Sequence, residues 1–110
     1  MIFTPQKEAV RGKILYYLAL IYPQAATLPV LQGGLDDLFG CRVPMHELES
    51  HLAYLGVRKL VSRNYYMPPQ RGNPRSVRLR KVAMMKITAK GLDYYDGRLP
   101  ADPGIYLEPK

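Results

Sequence analysis

Apolar residues recur along this chain with two different periods, and the changes of period mark its elements. From Gln6 to Tyr22 the spacing is helical, and at about 100° per residue Val10, Ile14, Tyr17, Leu18 and Ile21 share one face. Thr4 and Pro5 make an N-cap and first-turn pair ahead of this run, and Pro23 stops it. Gly12, Leu15, Tyr16 and Ala19 gather on the opposite side, where a surface helix should be polar. A helix that is apolar on two sides needs two covers. The second cover is either the C-terminal segment or another subunit, in which case Gly12, Leu15, Tyr16 and Ala19 form a homodimer interface.

Beyond a loop from Pro23 to Thr27, Leu28 to Phe39 reads as a second helix, with Leu28, Leu31, Leu35 and Leu38 in one row. Gly33 and Gly34 each lower its propensity by roughly 1 kcal/mol relative to Ala, which predicts a bent or frayed helix. Gly40 stands where the residue after a helix takes left-handed backbone. Pro44 then opens a third helix, about Met45 to Lys59, at a position where its missing N–H does no harm. Met45, Leu48, Leu52 and Leu55 point inward on it, and His46, Glu47, Ser50, Ala53, Tyr54 and Val57 point outward.

Past the third helix the period drops to two. Leu60, Val61, Tyr65, Tyr66 and Met67 suit a strand, and Pro68 to Arg75 is a turn-rich loop. From Val77 the chain alternates, with Val77, Leu79, Ala83, Met85 and Ile87 on one side and Arg78, Arg80 and Lys86 on the other. Thr88 caps a last helix that returns Ala89, Leu92 and Tyr95 to the core, and Gly97 ends it.

Charge gives this pattern a direction. The net +7 is not spread evenly: between Ser50 and Leu92 stand Arg58, Lys59, Arg63, Arg71, Arg75, Arg78, Arg80, Lys81, Lys86 and Lys90, with no Asp or Glu among them. The segments on either side are slightly acidic. A single block of positive charge suits a polyanion better than an even sprinkling does. A short helix, a tight turn, a second helix and then a basic β-hairpin is the arrangement that a winged helix-turn-helix offers to double-stranded DNA. The expected fold is therefore α+β and mostly helical, with three helices, a basic hairpin wing at about residues 60–87, a C-terminal helix and an extended tail.

In that arrangement the major groove would meet His46, Glu47, Ser50, Ala53, Tyr54 and Val57. Only Ser50 and Tyr54 bring ordinary hydrogen-bonding groups, and Glu47 suits no base but a cytosine amine. Phosphates would meet Arg58, Arg63, Arg71, Arg75, Arg78, Arg80, Lys81 and Lys86. The competing reading of the same fold is a protein-interaction or assembly module, for which an acid-free basic hairpin has no use.

Length and composition exclude much else. A chain of 110 residues suits one domain, residues 1–97, with 98–110 an extended tail packing on it or on a second subunit. No apolar run approaches the roughly 20 residues that span a bilayer. The N-terminus lacks the basic and apolar regions of a signal peptide, and the lone Cys41 makes no internal disulfide, so a cytoplasmic protein is expected. No metal, cofactor or catalytic residues are expected: His46 and His51 stand about 140° apart around a helix, and Glu47 with His51 reads as a surface pair. Asp36-Asp37 and Asp93-Asp96 have no base or phosphate loop beside them.

Three stretches together, His51-Leu52-Ala53-Tyr54-Leu55, Ile87-Thr88-Ala89-Lys90-Gly91-Leu92-Asp93 and Pro100-Ala101-Asp102-Pro103-Gly104-Ile105, resemble the small winged-helix proteins of Mu-like phages and prophages. More remotely the chain is similar to ArsR-like and MarR-like bacterial repressors. The resemblance covers nearly the whole chain and implies a DNA-binding transcriptional regulator. Metal-sensing ArsR-like proteins use paired cysteines, and this chain has one, so that mode of sensing is not carried over.

Overall fold

A computed structural model describes residues 6–66 and 82–108. In chain order they form α1 (Lys7–Ile21), β1 (Ala26–Thr27), α2 (Leu28–Phe39), α3 (Met45–Val57), β2 (Val61–Tyr66), β3 (Val82–Ile87) and α4 (Ala89–Tyr95). The expected cap at Thr4 and Pro5, the loop from Pro68 to Arg75 and the start of the second long strand at Val77 lie outside the described residues.

α1 runs through the centre of the molecule and packs on α2, α3, α4 and β3. Val10, Ile14 and Leu18 on its expected core face are buried, and Tyr17 and Ile21 are half-buried. The opposite side is buried at Gly12 and Leu15. Leu15 is wholly inaccessible, and a Cβ on Gly12 would collide with the Tyr106 carbonyl. The tail is held there by a hydrogen bond from the Tyr106 N–H to the Glu8 carbonyl at 2.9 Å, with Ile105 buried in the core.

α2 starts where Thr27 caps it, its Oγ1 accepting from the Val30 N–H at 3.4 Å, and stops at Gly40, whose φ of 61° is the left-handed conformation expected there. The predicted fraying at Gly33 and Gly34 is absent, since the helix is continuous across both. Gly34 lets the Tyr17 ring lie where a Cβ would stand, and that packing outweighs a weak propensity term. Leu31 and Leu35 are fully or nearly fully buried, but Leu38 is 48% exposed and leaves the leucine row.

α3 follows Pro44 as expected and buries Leu48, His51, Leu52 and Leu55. Met45, expected inward, is instead half in solvent at the start of the helix. The helix ends two residues earlier than the sequence pattern predicts because Lys59 takes a φ of 62°, which turns the chain into β2.

β2 and β3 form an antiparallel hairpin running from Val61↔Ile87 to Tyr66↔Val82. Ala26 and Thr27, expected in a loop, form β1 and pair with Met85 and Met84, so the sheet has the order β1-β3-β2. Val61, Met85 and Ile87 are buried under the helices. The Thr88 Oγ1 accepts from the Gly91 N–H at 2.9 Å, which caps α4, and donates to the Lys59 carbonyl at 2.6 Å. One hydroxyl thus fastens the start of α4 to the turn that follows α3.

Candidate nucleic-acid interface

The circumference of α3 divides into three zones. One packs into the core through Leu48, Leu52 and Leu55. A second zone, His46, Ser50, Ala53 and Val57, occupies an arc roughly 60° wide at 100° per residue. All four are exposed, and Val57 is 79% exposed. The third zone lies between these two and carries Glu47, Tyr54 and Arg58, and the tail covers most of it.

Tyr54 is at the centre of that covered flank. Its hydroxyl donates to Asp102 Oδ1 at 2.7 Å, and its ring lies between two guanidinium groups, Arg11 at 3.7 Å and Arg58 at 3.4 Å from the centroid. The other Asp102 oxygen, Oδ2, pairs with Arg58 Nε. Oδ1 also accepts from the Gly104 N–H at 2.7 Å, while the Asp102 N–H donates to the Tyr94 hydroxyl at 2.9 Å. Arg11 completes the cluster, donating from Nε to His51 Nδ1 at 3.2 Å and from a terminal nitrogen to the Gly104 carbonyl at 3.0 Å. α1, α3, α4 and the tail meet in this one set of contacts.

Titration follows from these contacts. The hydrogen bond from Tyr54, then those from the Gly104 N–H and Arg58, hold the Asp102 carboxyl below its ordinary value against a smaller opposing effect of burial. The same bond raises the Tyr54 hydroxyl, since ionising it would cost the proton it donates. Burial lowers His51 and the neighbouring Arg11 charge lowers it further, so the imidazole is held in the neutral form that can accept from Arg11.

Two expected interface residues are engaged within the chain. Tyr54 has its polar end on Asp102 and its ring half-buried between two arginines. Arg58 has its guanidinium held by the tail carboxylate and the Tyr54 ring. His51, expected in a surface pair with Glu47, is 3% exposed and partnered by Arg11. His46, Glu47, Ser50, Ala53 and Val57 are exposed as expected. On α1, Gly12 and Leu15 are covered by the chain itself, which leaves Tyr16, 40% exposed, and half-buried Ala19 as what that face still offers a second subunit.

The other described cations of the basic block stand on the hairpin side. Arg63 is exposed on β2 and lies 3.7 Å from Glu49, a surface contact too weak to immobilise it. Lys86 is half-buried on β3, its ammonium 5.6 Å from the Tyr22 ring. Lys59 and Lys90 are exposed near the base of the hairpin. Arg71, Arg75, Arg78, Arg80 and Lys81 lie outside the described residues. Among the described residues, no group of His, Cys, Asp and Glu side chains is placed to hold a metal ion, and no helix is long and apolar enough to cross a membrane.

No family model and no curated protein matches the sequence. Solved structures do match. A proposed transcriptional regulator from Thermoplasma acidophilum shares 17% identity, with 77% of this chain and 75% of that one covered at a TM-score of 0.59. A PadR-like transcriptional regulator from Bacillus cereus shares 18% identity, with 81% and 76% covered at a TM-score of 0.57. At such identities the likeness is one of fold. Among the described residues, four helices on a three-stranded antiparallel sheet, with α2 and α3 joined by a tight turn and β2 and β3 paired beyond them, have the fold of a winged helix-turn-helix.

Proposed function

We propose that the protein is a DNA-binding transcriptional regulator of the phage or prophage type its sequence resembles. It lays α3 in the major groove and sets the basic residues of the hairpin against phosphates. One observation carries the reading: the solvent-facing stripe of α3 is followed directly by a hairpin segment that is rich in Arg and Lys and contains no acid. Arg58 is engaged internally, so the phosphate-facing set becomes Arg63, Lys86 and the wing residues Arg71, Arg75, Arg78, Arg80 and Lys81, joined by Lys59 and Lys90. A homodimer seated on Tyr16 and Ala19 would supply the two-fold symmetry that pairs half-sites on a duplex.

Titration of a duplex at several salt concentrations tests this. Each phosphate contact contributes about 0.9 to the magnitude of the slope of log K against log salt. Replacing Arg71, Arg75, Arg78 and Arg80 by Ala should weaken binding to all sequences alike and flatten the slope accordingly. A fourfold variant with unchanged affinity and slope would remove the hairpin from the interface and favour the protein-interaction module.

A further inference from the structure

We propose that α3 selects its DNA site through thymine methyl groups, with Ala53 and Val57 as the specificity-determining side chains. The inference rests on the DNA-binding reading above and names what the groove-facing stripe recognises. Its first support is what the stripe lacks. His46, Ser50, Ala53 and Val57 include no guanidinium, ammonium or carboxamide. The bidentate contacts by which Arg or Lys read guanine, and Asn or Gln read adenine, are therefore missing from it.

The structure also disposes of one residue beside the stripe that might have supplied a polar code: the Tyr54 hydroxyl donates to Asp102. What stays in solvent on the C-terminal half of α3 is apolar and short: a methyl group on Ala53 and an isopropyl group on Val57, the latter 79% exposed. In the major groove the apolar feature that distinguishes one base from the rest is the thymine C5-methyl. Four residues along a helix advance about 6 Å, close to two base-pair steps, so Ala53 and Val57 can address pairs two steps apart. Short side chains also let the helix backbone come close to the base edges. Lys59, exposed two residues beyond Val57, is placed to take the adjoining phosphate.

The experiment starts by selecting preferred duplexes from a random pool with the intact protein. Each thymine of the selected site is then replaced singly by uracil, which removes the methyl and keeps every hydrogen-bonding group. At one or two positions wild type should bind the uracil duplex about fourfold more weakly, the worth of one buried methyl-sized group. Val57→Ser or Ala53→Ser should abolish that preference at its own position. Far-ultraviolet circular dichroism would confirm that α3 is intact in both variants. Duplex binding with no uracil effect anywhere, or with an effect that survives both substitutions, overturns the methyl reading and leaves DNA binding standing. Absence of binding to any duplex overturns both.

Discussion

Two flanks of one helix carry opposite burdens in this molecule. Toward the tail, α3 presents Tyr54, Arg58 and, deeper, His51, and each is held by side chains from other elements. Toward solvent it presents His46, Ser50, Ala53 and Val57, for which no hydrogen bond, ion pair or core contact is recorded among the described residues. Under the proposed function, the contrast separates two requirements of a groove-reading helix. Its roll about its own axis has to be fixed by something, and the side that reads has to be left free. Here the fixing is done by charged and aromatic groups that in sequence look like interface residues. Arg58 belongs to the basic block by composition, yet it serves the fold. The number of positive residues near a helix therefore overstates those available to phosphate.

If the clamp sets the roll of α3, breaking it should have the largest effect on stability. Asp102→Ala removes the acceptor for Tyr54, Arg58 and the Gly104 N–H together. Hydrogen bonds to a charged group contribute about 1.5–3 kcal/mol each when well buried; these are partly exposed and act as a unit, so a total loss of about 2 kcal/mol is expected in denaturant unfolding. Hydrogen exchange should rise along α3 and at the Tyr106 N–H. A variant as stable as wild type would show that the core leucines alone hold the helix.

Much of the architecture was legible because it depends on local signals. The end of α2 follows from Gly40, and the bounds of α4 from Thr88 and Gly97, since capping chemistry is written within three or four residues. β1 was not legible, because a two-residue strand shows no alternation and exists only through its pairing with Met84 and Met85. The clamp was hidden for a similar reason. Tyr54 and His51 lie on the borders of the apolar face, and whether a border position is covered depends on a tail 48 residues further along. The one local hint was Asp102-Pro103-Gly104, a turn carrying a carboxylate, set against Tyr54 and Arg58 one helical turn apart. The continuity of α2 through Gly33 and Gly34 was misread because propensity counts the missing side chain and not the Tyr17 ring that takes its place.

A smaller effect is expected from pH, and it sharpens the comparison by acting on the covered flank alone. His51 is held neutral by burial and by Arg11, so its folded value lies below that of the unfolded chain. Below about pH 6.5 the unfolded state takes up a proton that the native state does not, and stability falls as pH falls toward the lowered value. Asp102 acts in the same direction at lower pH, because its folded value is also depressed and its contribution is lost as it protonates. Thermal midpoints measured from pH 8 down to 5 should decline for wild type. His51→Gln, which keeps an acceptor for Arg11 without a titrating group, should be nearly flat over that range. A decline of equal size in both would assign it to groups other than His51.

The smallest effect on stability should come from the solvent stripe, and its smallness is what tests the division of labour. Ser50 and Val57 are exposed, and exposed substitutions of this kind usually change stability by no more than about 0.5 kcal/mol. Ser50→Ala improves helix propensity slightly, and Val57→Ser replaces one moderate helix former with another. Both variants should unfold at nearly the wild-type denaturant midpoint with the same slope. Held beside the Asp102→Ala variant, they ask whether the two flanks can be changed independently. The clamp variant should lose stability and, through the altered roll of α3, some site preference. The stripe variants should lose site preference without losing stability. If Val57→Ser proves as destabilising as Asp102→Ala, the stripe is part of the fold's support after all, and the free face of this helix has to be sought elsewhere on the molecule.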